Sequence, residues 1–281
     1  MHDWRGRTEK SDGMKPQRFD VFGTSVSCIS DQDLARCIEH WAASQSDIGH
    51  VVCFSDTHGL VRAHDDPSMG QALRTADIVA PDGHPIAWVG RILYGLSARR
   101  LCGPDFLEVL ASRSADSGLR HYLFGGKPGV ADELAATLQQ RHPGIKIVGT
   151  DSPPMGISSP QEVEQQLARM IAAKPDVVWI GLGAPKQEIW MAQHRHRLAG
   201  MTLCGVGAAF DFHTGRVRRA SAWMQRCGLE WAHRCCSEPR RLAPRYAKTI
   251  CRFVVLFARQ SWRMALSGKL RPDTPQTSPR T

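Results

Sequence analysis

The chain has 281 residues, 42% of them hydrophobic and 22% charged, with 36 basic and 27 acidic side chains for a net charge of +9. That composition argues against a disordered polypeptide and allows a sizeable core, in one large α/β domain or a domain with an appendage. The nine cysteines include no CxxC pair and are scattered apart from the adjacent Cys235-Cys236, which argues against a zinc ribbon or a disulfide framework and for reduced thiols in the cytosol.

In chain order, the polar opening MHDWRGRTEKSDGMKP carries no secretory signal. Residues 1–17 are expected to be disordered, and Met14 is an alternative start. Strand-like runs then appear at RFDVFGTSVSC, VVCFSD, DIVAPDG, HYLFGGK, IKIVGT, DVVWIGLG and TLCGVGAAF. Between them lie the amphipathic segments DQDLARCIEHWAAS, DFLEVLASRSA, GVADELAATLQQR, QEVEQQLARMIAA and QEIWMAQHRHRL. This alternation predicts a Rossmann-like, mostly parallel, doubly wound sheet with flanking helices over residues 18–215. After Gly215 the strands stop, and an Arg-rich helical appendage is predicted over 216–266, with a disordered tail over 267–281.

The charge divides at the same place. From Arg216 onward there are 15 basic and 3 acidic residues, a net +12, which leaves the first 215 residues at −3. All but Lys248 and Lys269 of those basic residues are arginines, whose planar fork suits bidentate binding of phosphate. A solvated basic surface and a phosphate-rich or anionic-membrane partner both fit. At 100° per residue, Arg241, Arg245, Lys248, Arg252, Arg259 and Arg263 share one narrow face, while Ala243, Ile250, Phe253, Val254, Phe257 and Met264 fall on the other side. FVVLFA is too short to span a bilayer. The pattern fits a helix lying on a membrane surface with few acidic neighbours, or one packing its apolar face on the core.

Ligands of a doubly wound sheet bind beyond the carboxyl ends of the strands, and the unusual residues of this chain cluster there. SDTH, with Asp56 and His58, follows the second strand, and PDGHP follows the third. GGKPG, GLGAPKQE and GVGAAFD follow the fourth, sixth and seventh, the last ending on Asp211. GLGAPK and GVGAAF both lack the third glycine of a dinucleotide fingerprint, and no Walker P-loop occurs. The turn at Gly125 and Gly126 leads through Pro128 into a helix; it is either an ordinary tight turn or a cradle whose amides hold a diphosphate. Asp82 either caps the helix after Gly83 or serves as a general base. DQD at Asp31–Asp33 opens a helix and is read as capping, HRHR as a solvated flank, and the scattered Trp and Met residues as core.

Six motifs in order, ADIVAPDGHPIAW, RLCGPDFLEVL, YLFGGKPGVADELAATLQQRHPGIKIVGT, VWIGLGAPKQEIWM, GVGAAFDFHTGRVRRA and GLEWAHRCCSEPRR, resemble the WecG/TagA/CpsF glycosyltransferases, family 26, from about Phe19 to Tyr246. PDGHPIAW and GPDF are most similar to members that build exopolysaccharide repeat units. The resemblance implies an inverting transferase that forms a β linkage, moving a sugar from a UDP-sugar of the glucose or N-acetylmannosamine type to a polyprenyl-diphosphate-linked glycan. It implies a peripheral position on the inner face of the cytoplasmic membrane, no metal and no cofactor; a homo-oligomer is compatible with it. Asp82 matches the proposed base of the P-D-G motif, Arg100 the arginine before G-x-D (with Asp105 its acid), and Gln187 the glutamine of P-K-Q-E. Arg234, Arg240 or Arg241, and Arg245 match the family's appendage arginines. Where the family commonly has T-x-N, this chain has Phe54-Ser55-Asp56, so Asp56 stands in place of asparagine and could share the base role.

On this basis the turn from Ala184 to Glu188 is expected to line the donor site, with Gln187 as a hydrogen-bonding group, Lys186 near the diphosphate, and Gly125, Gly126, Gly181 and Gly183 supplying amides to phosphate. Two other readings compete. A nucleotide- or nucleic-acid-binding module would use the basic tail, but the tail has few aromatics suited to stacking, so no nucleic-acid partner is expected. An NAD-dependent oxidoreductase is disfavoured by the missing glycines.

Overall fold

The computed structural model describes residues 16–44, 46–153, 159–237 and 239–268. The expectations for residues 1–15 and 269–281, and for the side chain of Arg241, lie outside the described residues.

The first strand-like run is a hairpin and not a strand of the main sheet. β1 (Gln17–Val21) and β2 (Thr24–Cys28) pair antiparallel as a separate two-stranded sheet. The turn places Phe22 at φ 55° and Gly23 at φ 90°, and Asp20 Oδ1 accepts the Gly23 amide at 3.2 Å. Two successive positive φ values suit the twist of a two-residue hairpin.

The main sheet has β3 (His50–Ser55), β4 (Ile78–Pro81), β5 (Arg120–Gly125), β6 (Lys146–Asp151), β7 (Val177–Gly181) and β8 (Thr202–Gly205). All neighbours are parallel, in the order β4-β3-β8-β7-β5-β6. The helices are α1 (Asp31–Ala43), α2 (Thr57–Asp65), α3 (Pro67–Thr75), α4 (His84–Tyr94), α5 (Gly103–Ser117), α6 (Val130–Arg141), α7 (Pro160–Ala173), α8 (Lys186–His194), α9 (Ala209–His213), α10 (Ala222–Arg226), α11 (Glu230–Ser237) and α12 (Pro239–Leu266). This is the Rossmann-like α/β architecture that the alternation predicts. The sequence patterns for α2 and α3 are short, and Asp66-Pro67 divides them; Asp66 ends the first and caps the second through its carboxylate. DQD is a capping element: Ser30 and Asp33 bond reciprocally at the start of α1.

Period-two alternation along the strands builds a core on each face. Val178 and Ile180 of β7 point into one core, with the hairpin, α2, α3, α4 and α7. Val177 and Trp179 point into the other, with α1, α5, α6 and α9. The HRHR flank is only partly solvated. Arg195 is buried, bonds the Thr75 carbonyl and pairs with Asp77 at 2.8 Å.

Helix α12 has three faces where two are expected. Leu256 and Thr249 are buried, and Phe253, Phe257 and Met264 pack on the first core. Gln260 fixes the helix to the hairpin and to α4 through the Phe22 amide, the Asp20 carbonyl and the Tyr94 hydroxyl. Val255, Trp262 and Leu266 stay exposed beside the basic stripe, and Ile250 and Val254 stay exposed on the opposite side. The stripe does have an acidic neighbour, because Arg252 Nη2 meets Asp65 Oδ1 at 2.6 Å. No helix among the described residues is long and apolar enough to cross a membrane. Nor are the tryptophans all core: Trp179 is buried, while Trp88, Trp223, Trp231 and Trp262 are exposed.

Candidate active site

β4 ends at Pro81, and its hydrogen-bonding continues for one more residue as the Asp82 amide donates to the Ser55 carbonyl at 2.9 Å. Gly83, at φ 149°, then turns the chain into α4. Asp82 does not cap that helix; the N-cap is Gly83 and it makes no side-chain cap bond. The carboxylate instead faces Arg100, with Oδ1 3.9 Å from Nε, and keeps 27% of its side-chain surface open. Burial pushes its pKa up to about 7, against the pull of Arg100 and with the help of the negative charges of Asp56, Glu230 and Asp105. A carboxylate of that affinity at a strand's carboxyl end can accept a proton near neutral pH.

Around it the core and the appendage share one ionic network. Arg100 Nη2 donates to Glu230 Oε2 of α11 at 2.8 Å, and Nη1 lies 3.5 Å from Asp105 Oδ2. Arg219 donates to Glu230 Oε1 at 3.1 Å and bonds Asp105 Oδ1. The Cys102 thiol donates to Asp105 Oδ2 at 2.8 Å, and burial holds that thiol protonated. On the other side of Asp82, Asp56 caps α2, its Oδ1 accepting the Gly59 amide at 2.7 Å. His58 Nδ1 meets Thr249 Oγ1 of α12 at 3.0 Å; burial and then Arg245 lower the pKa of His58. Arg234 lies over the Phe212 ring, 5.8 Å from its centroid.

The loops after β5, β7 and β8 are closed by their own bonds. A side chain at Gly125 would meet the Gly181 backbone at 2.6 Å, so glycine there lets two strand ends touch. The Gly126 amide donates to the Gly181 carbonyl at 3.1 Å. Gln187, 3% exposed, turns inward, and its Oε1 accepts the amides of Gly183 at 3.2 Å and Gly207 at 3.0 Å. Its Nε2 donates to Glu188 Oε1 at 2.9 Å; the other Glu188 oxygen is buried without a partner among the described residues, and burial raises the pKa of this acid.

The sequence model of the Glycosyl transferase WecG/TagA/CpsF family matches residues 19–266. The chain belongs to that family. Membership implies glycosyl transfer in cell-surface polysaccharide synthesis, from a nucleotide-sugar donor to a lipid-linked acceptor.

Within this glycosyltransferase the structure gathers Asp82, Arg100, Asp105 and Asp56 at one end of the sheet, with His58 beside them. Two expectations change. Gln187 bonds Glu188 and the glycine loops, and both side chains are buried in the first turn of α8 and not presented to the open cleft. The Gly126 and Gly183 amides are already hydrogen-bonded within the protein, so an amide cradle for phosphate cannot rest on them. Lys186 is exposed, without a side-chain partner among the described residues. Asp211 sits on α9 after β8, near Arg216, whose pKa is raised by its bond to Glu133 and then by the charge of Asp211. Glu230 and Arg219 are the network members that motif reading passed over. A signal existed for Glu230: it is one of only three acids after Arg216 in a strongly basic segment.

Proposed function

We propose that this glycosyltransferase moves a sugar from a UDP-sugar of the glucose or N-acetylmannosamine type to a polyprenyl-diphosphate-linked glycan, with inversion and without a metal, in exopolysaccharide or related surface-polysaccharide synthesis. Asp82, at the end of β4 with Oδ1 3.9 Å from Arg100 Nε and its pKa pushed up to about 7 by burial, is the observation that carries this reading. The donor lies in the crevice over β8, β7 and β5, where open α/β sheets take ligands. The acceptor hydroxyl gives its proton to Asp82 as its oxygen bonds the anomeric carbon from the face opposite UDP. The bond to UDP breaks on the other face, and its electron pair leaves on the β-phosphate oxygen. Arg234 and Arg245, at Phe212 and His58, meet that charge in a role the closed glycine amides cannot fill.

Residues 18–215 form the catalytic core in this reading and 216–266 the membrane-proximal appendage. The exposed apolar stripe of α12 next to its arginines supports a peripheral position on an anionic membrane face. The test is UDP release from a panel of UDP-sugars, with a polyprenyl-diphosphate glycan as acceptor and EDTA present. One donor should give acceptor-dependent release that falls as pH drops below about 7, where Asp82 takes up its proton. No release from any donor overturns the activity, and release abolished by EDTA overturns the metal-free step.

A further inference from the structure

A cavity opens near Asp82, at the β4 edge of the sheet, where the starts of α4 and α5 meet α10. It has a volume of about 380 Å³ and is lined by His84, Arg100, Asp105, Ala222, Gln225 and Arg226, a size within the range of small-molecule sites. Asp82, His84 and Arg100 all follow β4 at the edge of the sheet, whereas the glycine loops follow β8, β7 and β5.

Three features say what chemistry the cavity suits. Arg100, Arg226 and His84 line one space with a single acid, Asp105, among them. Arg226 makes no side-chain ion pair or hydrogen bond among the described residues, whereas Arg100 and Arg219 are both paired with acids. The His84 ring donates to the Arg226 carbonyl and packs against Gly228, which pins α10 over the start of α4. Two bare indoles lie nearby: Trp223, in α10 beside the lining residue Ala222, is 61% exposed, and Trp88, whose ring lies 6.5 Å from that of His84, is 50% exposed. An uncommitted cation among the lining residues and exposed indoles close to it fit an amphiphile with an anionic head, since tryptophan favours the boundary between water and hydrocarbon.

We propose that this cavity holds the diphosphate of the lipid-linked acceptor, with Arg226 as its principal cation and Trp88 and Trp223 receiving the first apolar units of the chain. The inference rests on the proposed function and deepens it: donor and acceptor each carry a diphosphate, and the protein holds them in separate basic lobes. Arg234 and Arg245 serve the leaving one. Arg226 serves the one that stays.

The experiment is calorimetric titration of the full chain with farnesyl diphosphate, inorganic pyrophosphate and UDP, each alone and in pairs. Farnesyl diphosphate should bind with UDP already saturating. Arg226→Gln should weaken farnesyl diphosphate and pyrophosphate about tenfold, as loss of a charged hydrogen bond does, and leave UDP within about twofold. Trp223→Ala should weaken farnesyl diphosphate and spare pyrophosphate. Both side chains are exposed, so the variants should keep the wild-type melting temperature. Displacement of farnesyl diphosphate by UDP, an unchanged affinity in Arg226→Gln, or no binding to the wild type overturns the proposal. Turnover of a UDP-sugar by the wild type would leave the proposed function standing in each of those cases, and absence of turnover alone would not touch the cavity.

Discussion

The two halves of the sheet's carboxyl rim are built in opposite ways. After β5, β7 and β8 the loops close on themselves: strand ends touch at Gly125 and Gly181, and one inward glutamine ties Gly183 to Gly207. After β3 and β4 the rim is charged, and two of its bonds, Arg100 to Glu230 and His58 to Thr249, reach across to the appendage. The closed loops are held by bonds among themselves, so in the proposed function they receive the donor without rearranging. The charged half is complete only when appendage and core meet, which links the chemistry to the segment that carries the exposed apolar stripe. Preorganisation on one side and assembly on the other divide the labour of a transferase whose two substrates differ in phase.

The largest expected effect lies on the charged side. Asp82→Asn should lower kcat by about 10²–10⁴-fold, the range for loss of a general base, with the donor KM nearly unchanged. The same substitution should stabilise the fold at alkaline pH. Because the folded pKa of Asp82 is raised from 3.8 to about 7, the native state binds more protons than the unfolded state between those values. Stability is therefore lost as pH rises through that window. The part of the side chain open to water tempers the penalty, so the variant should gain about 1–3 kcal/mol over wild type at pH 8 and nothing at pH 3. Equal melting curves at pH 8 would mean that Asp82 is not held in its protonated form.

The closed side should break differently. Gln187→Ala removes the acceptor of two glycine amides and the side-chain donor to a buried acid. Stranding such groups should cost about 2–4 kcal/mol, read as a lower melting temperature. Loosened donor loops should raise the donor KM more than the acceptor KM. A variant with wild-type stability and a raised acceptor KM instead would place Gln187 in the open cleft and erase the contrast between the two halves.

Sequence made the first comparison only in part. Strand periodicity and the PDGHP turn located Asp82, because strand ends of a parallel sheet converge whatever the details of packing; Arg100 and Asp105 came only through the family resemblance. The hairpin escaped because Phe22-Gly23 is not one of the turn pairs that composition flags, and a positive φ at phenylalanine is visible only in the backbone. The inward turn of Gln187 escaped for a similar reason: P-K-Q-E gives residue types at a helix start, not the direction of the first turn. Arg100 and Glu230 lie 130 positions apart, and no local pattern joins them. The faces of α12 were legible as arginine against apolar, but which apolar residues dock and which stay bare depends on where the hairpin and α2 stand.

The smallest expected effect is the sharpest test of assembly across the charged half. Glu230→Gln keeps the shape of the side chain and removes one charge. Glu230 acts on Asp82 in two ways, by its own negative charge, which raises the carboxyl's pKa, and by occupying Arg100, whose positive charge lowers it. Removing the charge weakens the first effect and frees the guanidinium for Asp82, so both changes push in the same direction. The base then holds its proton less tightly, and the acid limb of the kcat/KM profile should move to lower pH. The ion pair is partly solvated, with 18% and 20% of the two side chains exposed, so stability should fall by only about 1 kcal/mol. Membrane binding should not change, because α12 is untouched. An acid limb that stays in place would mean that the appendage sits against Asp82 without tuning it. The charged half would then be a docking surface, and its chemistry would belong to the core alone.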